Sequence, residues 1–127
     1  MAAGWHAEKA DMSEIKVSHQ DSVEPSDPEQ GLQRQVLAYN ANLMLVRHLM
    51  QEGWQGTRHS HPHDQLVYVI KGRLRFAGGE STFEAAAGDS FVVPGGVEHQ
   101  ASALEESEVL DVFNPYREDY APVRGLE

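Results

Sequence analysis

Short apolar runs, each stopped by glycine or proline, are the feature that most narrows the folds open to this chain. They are LMLVRHLM (43–50), QLVYVI (65–70), RLRFAG (73–78), DSFVVP (89–94) and EVLDVF (108–113), rich in Val, Leu and Phe. Between them stand Gly53, Gly56, Gly72, Gly78, Gly79, Gly88, Pro94, Gly95, Gly96 and Pro115. Brief apolar segments between turn residues read as strands. A sheet built from them must bury one face against another sheet, so the expectation is an all-β sandwich or barrel. Helix has little support: ESTFEAAAG (80–88) is too short to stand alone as one and reads as a strand and turn. A length of 127 residues suits one domain with a single core.

The barrel-like pattern begins at Leu32, so residues 32–127 form the expected domain. Residues 1–31 are polar and acidic, and SVEPSDPEQG (22–31) breaks regular structure. They read as a flexible arm, with room for a short edge strand through Ile15 and Val17. The opening residues carry acids early and have no apolar core of signal-peptide length, and the chain has no cysteine. Both features fit a cytoplasmic protein. With 20 acidic residues against 10 basic and a net charge of −10, nucleic acid and anionic lipid are poor partners. No window is long and apolar enough to span a membrane.

Chemistry concentrates in TRHSHPHDQLVYVIKG (57–72), where His59, His61, His63 and Gln65 share one parity. On an extended strand such residues point to the same side, which aims two or three of the four at one ion. Pro62 interrupts the ladder, as a bulge beside a site does. His99, after the turn PGGVE (94–98), is expected at a strand start and supplies another imidazole. Three imidazoles and an amide oxygen suit one divalent transition ion (Ni, Fe, Mn or Zn) rather than calcium or magnesium. His6, His19 and His48 read as ordinary surface or hydrogen-bonded groups.

In EVLDVFNPYREDY (108–120) the alternation sets Val109, Asp111 and Phe113 on one side. An aspartate between inward apolar groups costs several kcal/mol unless it is paired or takes up a proton. Asp111 is therefore a candidate general acid or base; the plainer alternative is satisfaction by backbone N–H groups or Arg117. Arg117 can fold back over a barrel mouth and grip a carboxylate, or pair with Glu118 or Asp119. Phe113 lines a pocket or is ordinary core.

The two histidine segments together resemble the signature of the cupin superfamily. GWQGTRHSHPHDQLVYVIKG has Gly53, five residues, His59-x-His61, three residues, Gln65, six residues and Gly72; GDSFVVPGGVEH has Gly88, five residues, Pro94-x-Gly96, two residues and His99. The resemblance implies a cupin-type jelly roll, a double-stranded β-helix barrel. It also implies the metal ligands His59, His61, Gln65 and His99, with His63 beside them facing a second shell or the substrate. Gln65 replaces the usual glutamate, which makes a bound ion more electrophilic at some cost in affinity. Ala103 stands where an asparagine often closes the second motif.

NLMLVRHLMQEG, HSHPHDQLVYVIKGRLRF and VLDVFNPYREDY are similar to the small single-domain cupins of the pectin-degradation type, the KdgF family. That likeness covers roughly residues 32–121. It implies metal-dependent linearisation of 4,5-unsaturated uronate monosaccharides to the 5-keto form. Asp111 would shuttle the proton, Arg117 hold the carboxylate, His63 contact hydroxyls and Phe113 line the pocket. The alternatives are a non-catalytic cupin that binds a small anion or sugar acid at a metal, and an iron-dependent dioxygenase. Cupins of this size usually form homodimers, and a free arm can add a strand to a neighbour.

Overall fold

The computed structural model describes residues 14–122. Nine strands follow a 3₁₀ turn at Gln20–Ser22: β1 Ser26–Glu29, β2 Leu32–Tyr39, β3 Met44–Met50, β4 Asp64–Lys71, β5 Arg73–Gly78, β6 Ser81–Ala86, β7 Ser90–Val93, β8 His99–Ala103 and β9 Ser107–Asn114. They form two antiparallel sheets, one of six strands in the order β1-β2-β3-β9-β4-β7 and one of three in the order β6-β5-β8. The all-β jelly roll implied by the sequence is the fold of the protein. Each of the five apolar runs became a strand, and ESTFEAAAG became β6 and its turn.

Side-chain alternation decides what each strand buries. On β3, Met44, Val46, His48 and Met50 are buried while Leu45, Arg47 and Leu49 are less so, and β9 buries Ser107, Val109, Asp111 and Phe113. The apolar residues fall into two clusters. One gathers Leu32, Met50, Val67, Val69, Leu74, Ala85, Ala103 and Val109; the other gathers Tyr39, Met44, Val46 and Phe113. His48 lies between Val46 and Met50, and Asp111 between Val109 and Phe113. A polar layer therefore crosses the barrel interior between two apolar ones. Only groups that satisfy one another can occupy it without a large desolvation cost.

The expected arm differs from the structure. Ile15 and Val17 are exposed and belong to no strand. The edge strand lies further on, where Ser26–Glu29 pairs with β2. Pro28 is accepted there because an edge strand has one side without a ladder. The 3₁₀ turn is held as well: the Gln35 amide donates to the carbonyls of Gln20 (3.2 Å) and Val23 (2.9 Å). From Gln20 onward the chain thus lies on the barrel. Residues 1–13, with Trp5 and His6, and residues 123–127 fall outside the described part.

Candidate metal centre

The two histidine segments are clamped together by backbone. His59 and His99 form a reciprocal bridge, N–H to carbonyl at 3.0 and 2.8 Å, and the Gly96 N–H donates to the His61 carbonyl at 2.8 Å. Gly95 lies so close to the Pro62 carbonyl that a Cβ there would collide with it. This contact explains why the turn needs a glycine. His99 opens β8 as expected, but residues 60–63 lie outside any strand, with a bend at Pro62 and His63. Pro62 ends the ladder before β4 begins at Asp64, so His63 meets His61 by ring contact rather than as a neighbour on one strand face.

His59, His61 and His99 present ring nitrogens that all lie within 4.8 Å of one another. Each Nδ1 faces a backbone carbonyl two residues away: His59 to Thr57 (2.8 Å), His61 to His63 (3.2 Å) and His99 to Val97 (2.8 Å). A carbonyl only accepts, so each Nδ1 carries the proton, and the lone pair of a neutral ring is left on Nε2. Burial, the Arg117 charge and the His99 ring push the His61 pKa down to about 4, against a stabilising Gln65 contact. Burial also lowers that of His99, chiefly against a backbone hydrogen bond. Both rings are consequently neutral near pH 7 and able to coordinate.

Gln65 Oε1 lies 3.1 Å from His61 Nε2. With the ring proton on Nδ1, two lone pairs face each other there, an approach that a cation held by both would relieve. Three imidazole nitrogens and an amide oxygen, with no proton between them, fit a divalent transition ion. The His63 ring packs edge-on against His61 and Phe113, with ring centres 5.4 and 6.3 Å apart. Its Nδ1 is enclosed and, among the described residues, has no hydrogen-bond partner.

His59, Gln65 and His99 face a cavity of about 180 Å³ lined also by Arg34, His48, Asp111, Phe113, Arg117 and Tyr120. Asp111 is 4 % exposed, and neither backbone N–H groups nor Arg117 satisfy it. Its Oδ1 accepts from the Gln65 amide at 2.9 Å, and its Oδ2 lies 2.7 Å from His48 Nδ1. Arg117 is buried and donates to both carboxylate oxygens of Asp119, at 3.2 and 2.8 Å. Burial raises the Asp119 pKa, but the Arg117 hydrogen bond and charge outweigh it and leave it lowered. The guanidinium also lies 3.9 Å from the Tyr120 ring centre and 5.1 Å from that of Phe113. Its remaining N–H groups stay available for a second carboxylate. Arg34, His48 and Tyr120 were missed as site residues, although the alternation that exposed Asp111 on β9 marks His48 on β3 in the same way.

Two antiparallel sheets closing on an inward histidine cluster are the architecture of the cupins. The chain belongs to that family, whose model, Cupin_2 (cupin domain), matches residues 46–113, and within it is a small single-domain cupin of the KdgF type. The pectin degradation protein KdgF of Dickeya dadantii is 32% identical over 92 residues, 71% of this chain and 84% of that protein. Among solved structures, KdgF from Halomonas sp. is 36% identical with a TM-score of 0.78, covering 82% of this chain and 98% of its own. An RmlC-like cupin from Shewanella frigidimarina is 34% identical with a TM-score of 0.81, covering 85% and 97%.

Proposed function

We propose that the protein linearises 4,5-unsaturated uronate monosaccharides, opening the ring and tautomerising the product to the 5-keto form. The observation that carries this reading is the buried Asp111 carboxylate beside the ligand set, in a cavity that also holds Arg117. The similarity to two KdgF proteins supports the substrate class. The cavity volume supports a single sugar ring rather than a polymer.

His59, His61, Gln65 and His99 would hold the metal, which when bound supplies positive charge where an enolate oxygen and a carboxylate develop or rest. Arg117 holds the substrate carboxylate with the N–H groups that Asp119 leaves free. The C1 hydroxyl gives up its proton as the C1 to ring-oxygen bond breaks, which leaves an enol at C5. Asp111 takes a proton from the oxygen and delivers one to C4, so no atom or electron is gained or lost overall. Phe113 closes the floor of the pocket. The test uses the metal-loaded protein and monomers freshly released by a polysaccharide lyase. The ultraviolet absorbance of the conjugated double bond should fall faster than spontaneously, with no oxygen consumed. Oxygen uptake would point to a dioxygenase, and tight binding without turnover to a sensor.

We also infer that two copies pair, and an apolar sheet face supports this beside the edge strand β1, which pairs with β2 on one side only. The outer face of β3, β9, β4 and β7 exposes Leu66 (45%), Tyr68 (47%), Ile70 (40%) and Val92 (61%). The Arg47 and Glu108 charges on that face neutralise each other at 2.6 Å. Strands of 7, 8, 8 and 4 residues, spaced about 4.8 Å apart, offer roughly 430 Å² in plan. With side-chain relief this approaches the ~800 Å² per partner of a standard interface. A second copy meets it with the same apolar, charge-neutral surface.

A further inference from the structure

Arg34, His48, Asp111 and Gln65 form an unbroken line of hydrogen bonds across the inner face of β2, β3, β9 and β4. Arg34 and His48 are direct partners in the β2–β3 register, while Asp111 and Gln65 are offset diagonally on the next strands. Chemistry fixes the direction of every bond. Arg34 Nε lies 3.0 Å from His48 Nε2, and a guanidinium has only donors, so His48 Nε2 accepts. The ring proton must then be on Nδ1, from which it is donated to Asp111 Oδ2 at 2.7 Å. Asp111 is left as an acceptor on both oxygens. The Gln65 amide must therefore turn its nitrogen to Asp111, at 2.9 Å, and its oxygen to the histidines.

We propose that Arg34 and His48 are the positioning residues of this centre: Arg34 sets the His48 tautomer, His48 holds Asp111, and Asp111 aims the Gln65 oxygen at the metal position. Arg34 is itself held. Its guanidinium lies 3.7 Å from the Tyr120 ring centre, and that of Arg117 lies 3.9 Å from it. Two guanidiniums so close to one ring have room only on opposite faces, so Tyr120 is a spacer between the arginine that orients the centre and the one that faces substrate. Burial raises the Tyr120 pKa against the pull of both arginines, which keeps the ring neutral between them. The same line explains glutamine at position 65, since a carboxylate there would confront Asp111 with a second negative charge.

Only the catalytic consequence of this arrangement rests on the proposed reaction, so its test begins without substrate. In the zinc-loaded full chain with ¹⁵N-labelled histidine, His48 should show a protonated Nδ1 and a bare Nε2. A proton on Nε2 overturns the proposal without any variant being needed. Arg34→Met should change that signature, and an unchanged signal also overturns it. His48→Leu removes the donor to Asp111 and should weaken zinc binding about tenfold, the lower end of the range for groups behind metal ligands. His48→Gln can still accept from Arg34 and donate to Asp111, and should retain most of the affinity. Equal losses in the two variants would mean that His48 only fills space. If uronate turnover exists, His48→Leu should lower kcat with little change in KM. Absence of turnover would sink the proposed reaction and leave the tautomer and zinc results standing.

Discussion

Glutamine at position 65 serves two neighbours at once: its nitrogen donates to Asp111 at 2.9 Å while its oxygen faces His61 Nε2 at 3.1 Å. Each ligand has a different weight in the prediction for metal content. Protein purified without chelator should carry about one divalent transition ion per chain. His61→Ala or His99→Ala should abolish this, whereas His63→Ala should keep most of it, since His63 is not among the three histidines whose ring nitrogens lie within 4.8 Å of one another. Elemental analysis of the three variants decides the matter, and loss in His63→Ala alone would mean that the wrong histidines have been assigned. The lowered His61 pKa also makes a prediction for the metal-stripped protein. Between 6.5 and about 4 the unfolded chain binds more protons at this residue than the folded one. The contribution of neutral His61 is therefore complete above pH 6.5 and is lost as pH falls toward 4. Between pH 7 and 5 the urea midpoint should drop further for the stripped wild type than for His61→Gln, and equal drops would contradict the shift.

At the scale of strands and turns, much of the fold was legible because glycine and proline mark where each strand ends. His99 at a strand start and Asp111 on an inward position followed from the same periodicity. The short strand at Ser26–Glu29 was not legible, because the two prolines in SVEPSDPEQG conceal a strand that pairs on one side only. His48 was passed over because a single histidine was weighed alone, although Met44, Val46 and Met50 around it already defined an inward face. The partners of Asp111 were not legible, because pairing His48 with Asp111 requires the β3–β9 register, which no local pattern encodes. The turn between β7 and β8 offers a direct test of how the two motifs are joined. Gly95→Ala must push the Pro62 carbonyl away, and should cost about 1–3 kcal/mol in thermal or urea unfolding. It should also weaken metal binding, because His61 and His99 separate; full metal affinity in a destabilised variant would break that link.

At the scale of the molecule, the nine strands of the described residues make a barrel with a polar layer inside and an apolar outer face on the six-stranded sheet. Sedimentation at micromolar concentration should give twice the mass of the 14.1 kDa chain. Tyr68→Glu with Val92→Glu should return the monomer with metal content unchanged. A wild-type monomer would remove the pairing proposal. The interior is judged by Asp111, the proton carrier proposed for it. Asp111→Asn keeps shape and polarity but cannot carry a proton, while Arg117→Ala removes the anchor proposed to engage the substrate in the ground state. The latter should mainly raise KM, with lysine restoring only part of the loss. The most direct measurement is turnover of the unsaturated uronate monomer by wild type and Asp111→Asn at equal metal occupancy, each corrected for spontaneous ring opening. The account predicts a fall of roughly 10²- to 10⁴-fold in the variant. Equal rates in the two proteins, or a wild type that never exceeds the spontaneous rate on pectin- or alginate-derived monomers, would contradict it.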